Sequence, residues 1–223
     1  MKKYFDILRK CRLFDGISDE ELDKLLVCLG AKVEKFGKKY TIISEGMPAK
    51  QIGIMLSGSA QMIQIDYYGN RSIVSGVAAS EVFCESFACA EVEAVPVTIV
   101  ANESCEVMLI DSSRILHSCS NACGFHQMLI LNLMKDLASK NLMFHQKLEV
   151  TSKRSTREKL MAYLMLQAKN KGSSQFTIPF NRQELADYLE VDRSGLSSEI
   201  SKLRNEGVLT CERNSFALLR QEY

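Results

Sequence analysis

Asn181-Arg182-Gln183-Glu184-Leu185-Ala186-Asp187-Tyr188-Leu189-Glu190-Val191-Asp192-Arg193-Ser194-Gly195-Leu196-Ser197-Ser198-Glu199-Ile200-Ser201-Lys202-Leu203-Arg204-Asn205-Glu206-Gly207 spells two short helices joined by a tight turn. Asn181 is placed to cap the first helix, with Glu184 three residues on as its reciprocal partner, and Leu185, Ala186 and Leu189 form the apolar stripe. Asp192 is placed to cap the second, whose buried side is Leu196, Ile200 and Leu203, and Gly207 suits the left-handed position at its end. The opposite face carries Arg193, Ser194, Ser197, Ser198, Lys202 and Arg204. Small polar and basic groups at a helix N-terminus fit a major groove, where Arg reads guanine bidentately and Ser donates or accepts. Val208-Leu209-Thr210-Cys211 and Phe216-Ala217-Leu218-Leu219 then read as strands joined by the polar Glu212-Arg213-Asn214-Ser215, which completes a winged helix with Arg213 at the wing tip, facing phosphate. The plain alternative is an αα-hairpin beside a β-ribbon that never touches DNA.

Before this unit, Gln175-Phe176-Thr177-Ile178-Pro179 reads as an edge strand, because Pro179 has no N–H for a central ladder. Ser155 and Glu158 form a capping box for a helix from Thr156 to about Ala168, followed by a loop over residues 169–174, and the polar run from Thr151 reads as a hinge. From about Asn121 to Val150 the period is helical. Ile130, Leu137 and Phe144 recur every seven residues, Met134 and Leu148 follow the first and last by four, and Asn141 takes the middle position between them. That is the pattern of a two-stranded seam, with Asn141 fixing register; the alternative is a long amphipathic helix packed on its own sheet.

Further upstream, residues 31–110 form short stretches rich in Val, Ile, Phe, Tyr and Thr, broken at Gly37, Gly46-Met47-Pro48, Ser57-Gly58 and Tyr68-Gly69-Asn70. Regular short strands with turns predict an antiparallel roll, with Gly69-Asn70 as a hairpin turn. Ser18 and Glu21 box the start of a short helix before it. The expected fold is therefore α+β: an N-terminal antiparallel, jelly-roll-like β-roll over residues 1–120, a long dimerisation helix and hinge over 121–154, and a winged helix-turn-helix over 155–223.

Composition agrees with a folded, two-domain chain. The 223 residues are 46% hydrophobic and 25% charged, with only 12 Gly and 3 Pro, which excludes collagen-like and largely disordered classes. The net charge of +1 hides a split: residues 151–223 hold 12 Lys and Arg against 9 Asp and Glu. No apolar run approaches the roughly 18 residues of a membrane span, and a cytoplasmic protein with no membrane partner is expected. The eight Cys are expected to be reduced thiols. Phosphate loops, nucleophile elbows and metal-binding His pairs are absent from the pattern, so neither catalysis nor a metal or other cofactor is expected.

With these residues in order, the chain resembles the Crp/Fnr family of bacterial transcription regulators over nearly its whole length. The opening signature is similar in Leu13-Phe14-Asp15-Gly16-Ile17-Ser18 with Glu21-Leu22, and the roll signature in Glu45-Gly46 and Met55-Leu56-Ser57-Gly58. The recognition motif resembles that of the branch with Val191-Asp192-Arg193-Ser194 leading into Leu196-Ser197. The resemblance implies a homodimer on a palindromic double-stranded operator, an effector in the roll, and RNA polymerase as a further partner if the protein activates.

It also implies a departure. Cyclic-nucleotide-binding members use a Gly-Glu pair for the ribose and, ten residues past that Glu, an Arg-Ser or Arg-Thr pair for the phosphate. Here those places read Cys84-Glu85 and Val95-Pro96. Without a cation for the phosphate, cyclic AMP and cyclic GMP are expected to bind poorly. The effector pocket is placed at Cys84, Glu85, Ser86, Phe87, Val95 and Pro96, and it holds either a less anionic ligand or merely Phe83 and Phe87. A thiol switch, or haem on His117, His126 or His145, are rival sensors, and an interaction module that binds no DNA is a rival function.

Overall fold

The computed structural model describes residues 1–116 and 124–219. Contacts divide the chain into two compact units, residues 1–70 with 74–141, and residues 71–73 with 142–223.

In the first unit, α1 (Phe5–Leu8) and α2 (Asp19–Cys28) precede eight strands: β1 (Lys32–Phe36), β2 (Thr41–Ile43), β3 (Gln51–Ser57), β4 (Ala60–Ile65), β5 (Arg71–Val77), β6 (Val82–Phe83), β7 (Thr98–Ala101) and β8 (Cys105–Asp111). Helix α3 (Glu85–Cys89) follows β6, and α4 (Ser113–Leu116) follows β8. The strands form two sheets, β1-β8-β3-β6 and β2-β7-β4-β5, antiparallel in the pairings of β1, β3 and β6 with their neighbours and of β7 with β2 and β4. The expected roll is present.

Period-two alternation places its core. On β3 and β8 the residues Ile52, Ile54, Leu56, Met108 and Ile110 face a layer of helices with Leu22, Leu25 and Leu26, while Met55, Val107 and Leu109 face the roll interior with Ile99 and Phe83. Both faces are buried, so β3 shows continuous rather than alternating burial. Gly53 has a specific reason to be glycine: a Cβ there would stand 2.1 Å from the Phe83 ring. Ser18 and Glu21 make the expected capping box. The β4–β5 turn is wider than Gly69-Asn70 implied. Asp66 accepts from the backbone of Tyr68 and Asn70, and only Gly69 of the two has positive φ, because the Asp66 carboxylate replaces the second left-handed residue.

Helix α5 (Gly124–Thr151) has 28 residues, about 42 Å at 1.5 Å per residue. Its inward line is Leu129, Leu133 and Asp136. Asn132 is buried and donates to the carbonyls of Leu13 and Asp15 at 3.2 and 2.7 Å, which ties the Leu13-Phe14-Asp15 loop to the helix. The outward line carries Leu131, Met134, Leu142 and Leu148, exposed by 45–66%, with exposed Ala138, Asn141 and His145 between them. Phe144 is 45% exposed beside that line. Two residues of the expected seam stand elsewhere. Leu137 packs against the core beneath the roll and Ile130 is half-buried, whereas Leu131 and Ala138, one residue further on, are exposed.

In the second unit, α6 (Thr156–Lys171) is followed by β9 (Gln175–Thr177), α7 (Arg182–Leu189), α8 (Arg193–Asn205), β10 (Leu209–Glu212) and β11 (Ser215–Leu218). The Ser155–Glu158 box is formed, and α6 runs three residues beyond Ala168 to a left-handed Gly172. Residues 169–171 are thus helix rather than the expected loop, since Lys169, Asn170 and Lys171 have no breaker before that glycine. The sheet order β10-β11-β9 leaves β9 at an edge, as Pro179 required. Leu160 and Leu164 of α6, Leu185 and Leu189 of α7, Leu196, Ile200 and Leu203 of α8, and Leu209 and Phe216 of the hairpin are all buried. Removing one, as in Leu203→Ala, would cost about 2–5 kcal/mol.

Candidate functional site

The helix pair forms as its caps dictate. Asn181 Oδ1 accepts from the backbone N–H groups of Gln183 and Glu184 at 2.9 and 3.0 Å, while Glu184 accepts from the Asn181 N–H. Asp192 accepts from the Gly195 N–H at 2.9 Å and from the Ser194 hydroxyl. Those bonds, the Ser194 hydroxyl first, hold the Asp192 carboxyl below its ordinary pKa. Between the helices Glu190 adopts a left-handed conformation with φ 55°. Lys159 of α6 reaches the carbonyls of Leu189 and Glu190 at 3.3 Å, and so caps the end of α7.

With Leu196, Ile200 and Leu203 buried, helix geometry turns Ser194, Ser198, Ser201 and Asn205 outward along one line. Arg193, Ser194, Ser197, Ser198, Lys202, Arg204 and Arg213 are all exposed. They are not equivalent. The Ser194 proton is committed to Asp192, which leaves its oxygen as an acceptor. Lys202 is paired with Glu199 at 2.6 Å. Arg204 lines a cleft of about 700 Å³ with Thr177, Thr210 and Ser215 over the wing sheet. Arg213, at the wing tip, is left-handed with φ 52°. Ser201 and Asn205 extend the exposed line, and their spacing of seven and eleven residues from Ser194 is the sequence signal for them.

The roll site departs from expectation in what holds it. Cys84 has φ 62°, the backbone region that favours glycine, and its side chain is buried. Burial raises its thiol pKa to about 12, and the buried Cys11 thiol likewise to about 12. Val95 is buried; its N–H donates to Met47 and its carbonyl accepts from Gly46, at 2.8 and 2.9 Å. Pro96 is exposed and has no N–H to offer. Phe83 is buried in the roll interior and Phe87 packs against it half-exposed, while Ser86 is exposed.

Glu85 is 3% exposed and does not stand alone. Lys140, on α5, donates to Glu85 Oε1 at 2.8 Å and to the Val82 carbonyl at 2.6 Å, and lies 2.9 Å from Asp136 Oδ2. Burial would lower the Lys140 pKa, but the two carboxylates outweigh it and the pKa is raised. Nothing near residue 85 foretold this cation, because its lysine arrives from a helix 55 residues later. His126 is buried, its Nε2 at 3.0 Å from the Ile115 carbonyl. His117, Cys119 and Cys123 lie outside the described residues.

Two family models match the chain: a cyclic nucleotide-binding domain over residues 33–121 and a Crp-like helix-turn-helix domain over residues 158–222. Among solved structures, the chain is similar to the c-di-GMP-responsive global regulator CLP of Xanthomonas campestris. The identity is 16% and the TM-score 0.73, covering 90% of this chain and 98% of that one. It is similar to FixK2 of Bradyrhizobium japonicum at 17% identity and TM-score 0.65, covering 86% and 93%. A CRP-family transcriptional regulator of Thermus thermophilus matches at 18% and 0.60, covering 84% and 92%. No curated protein sequence matches.

Proposed function

We infer from a chain that belongs to the Crp/Fnr family of transcription regulators a homodimer whose two recognition helices read a palindromic operator. That the chain is a DNA-binding regulator with a cyclic-nucleotide-binding domain follows from its family; the dimer, the reading residues and the state of the roll are the proposal. The observation that carries it is the exposure of Arg193, Ser194, Ser197, Ser198, Lys202 and Arg204 on α8 and of Arg213 at the wing tip; in this reading the first four meet base edges and Lys202, Arg204 and Arg213 meet phosphates. The seam is the outward line of α5, Leu131, Met134, Asn141 and Leu148, with Phe144 at its edge. Ile130 and Leu137 give way to Leu131 and Ala138.

Cyclic nucleotides are not the effector in this reading. Val95 has spent both backbone groups, Pro96 has no donor, and Lys140 is held by two carboxylates, so a buried phosphodiester would find no charge partner. Thiols as deeply protonated as Cys84 and Cys11 make poor redox switches, which weighs against that rival. RNA polymerase is a partner only if the protein activates, and a cytoplasmic location follows from contact with the chromosome.

The test is equilibrium binding to a selected duplex and to single-base variants of it. Arg193→Ala is expected to cost about 1–3 kcal/mol on the preferred duplex and to relax discrimination at one position. Arg213→Ala should weaken all duplexes alike. Uniform weakening by Arg193→Ala would remove it from the base-reading set.

A further inference from the structure

On α5, Leu129, Leu133, Asp136 and Val150 are buried. With that side turned inward, the residues opposite recur at alternating steps of three and four: Leu131, Met134, Ala138, Asn141, His145 and Leu148, all exposed. Of these six, only His145 titrates near neutral pH. In a seam of two parallel helices a residue of its class meets its own counterpart across the two-fold axis. Its side chain enters a hole formed by four residues of the other helix. For His145 those four are Asn141, Phe144, His145 and Leu148 of the second copy.

Neutral imidazoles suit such a layer. Each ring donates once and accepts once, so the pair can share a hydrogen bond across the axis or reach an Asn141 amide. Imidazolium rings do not suit it. Two like charges would then face each other, and Asn141, Phe144 and Leu148 bring no carboxylate to the hole, so the charge would be desolvated without a partner. The other charges nearby on α5 leave that sign unchanged. Glu149 of either copy stands one turn beyond, exposed at the flank of the seam, where an ion pair is worth little. Lys147 adds positive charge and is turned away, donating to the Ile73 carbonyl and lying 4.9 Å from the Tyr188 ring centroid.

We propose that the two His145 rings, one from each copy, form a proton-operated release in the seam, closed when both are neutral and opened when both are protonated. It rests on the homodimer of the proposed function and adds to it a signal that the seam itself senses. The dimer binds fewer protons than two free chains, so its affinity falls as pH drops through the range where the free imidazole titrates, near 6.5. The test is sedimentation equilibrium of the full chain at about pH 7.5 and about pH 5.5, one unit either side of that value. For wild type the dimer Kd should rise at least about tenfold between them, since each proton taken up on dissociation is worth a factor of ten per pH unit. In His145→Leu the Kd should stay within about threefold; His145→Gln, uncharged but polar, should be equally flat and separates the loss of charge from the gain in apolar packing. A wild-type dimer equally tight at both pH values would overturn the proposal and leave the dimer standing. An equal rise in both variants would assign the response to other groups and overturn it as well. Wild type monomeric throughout would overturn the dimer itself and the proposal with it.

Discussion

Arg193 and Lys140 are both cations at candidate sites, yet only one was visible in the sequence. Arg193 sits one residue after a capping Asp192, so local spacing alone places it at a helix start, where the structure finds it exposed. Lys140 is defined by its distance to Glu85, a contact between residues 55 apart with no local trace. Cys84 and Glu190 are a further residue-scale surprise, since both hold left-handed backbones without being glycine. At Glu190 the side chain is exposed, and its attraction to Lys147 is a small offset to the strain. Glu190→Gly is therefore expected to stabilise the protein by about 1 kcal/mol, read as a raised denaturation midpoint in urea; an unchanged or lower midpoint would mean that the Glu190 side chain contributes to the turn. Cys84→Gly carries no such expectation, because the buried thiol also fills space.

At the scale of elements, capping chemistry was the most legible feature. Ser18 with Glu21, Ser155 with Glu158, and Asn181 with Glu184 all form boxes, since a box is a local pattern of four residues. The Glu21 and Glu158 carboxyls, through bonds from the Ser18 and Ser155 backbones, and the Asp192 carboxyl all lie below their ordinary values. A depressed folded value contributes stability that is present above the unfolded pKa, near 4, and lost as pH falls through the folded one. Helicity by circular dichroism should accordingly hold from neutral pH down to about 4 and fall below it. In Asp192→Asn, which keeps a cap without a charge, that decline should be shallower; an identical profile would remove Asp192 from the acid response.

The line proposed as the dimer seam differs by one residue, at two positions, from the heptad that the sequence suggests. Met128-Leu129-Ile130-Leu131 and Leu133-Met134 are apolar on every side of the helix, so the heptad alone cannot tell which line the roll claims. The roll claims Leu129, Leu133 and the flank of Leu137. Leu131→Asp with Leu148→Asp should therefore give a folded monomer by light scattering, at unchanged far-ultraviolet circular dichroism. A variant that remains dimeric would place the seam elsewhere. In the proposed seam, Asn141 would favour one register at some cost in stability.

For the whole molecule, the order roll, long helix, winged helix could be read from the change of hydrophobic period from two to 3.6 and back. What could not be read is how the roll interior is filled. That depends on Phe83 lying across Gly53 and on Val95 bonding to Gly46 and Met47, contacts set by sheet pairing and not by spacing. The division into a first unit ending at Asn141 and a second starting at Leu142 falls within α5, the helix that carries the proposed seam. Two copies joined along that line present two α8 faces related by a two-fold axis, which asks for an inverted repeat.

The most direct measurement is selection of bound duplexes from a random library by the purified full-length protein, followed by sequencing. An inverted repeat whose half-sites are centred about one helical turn apart, roughly 10–11 base pairs, is the predicted result. Enrichment of a lone half-site, or of no sequence at all, would contradict a dimer that reads DNA through the exposed face of α8.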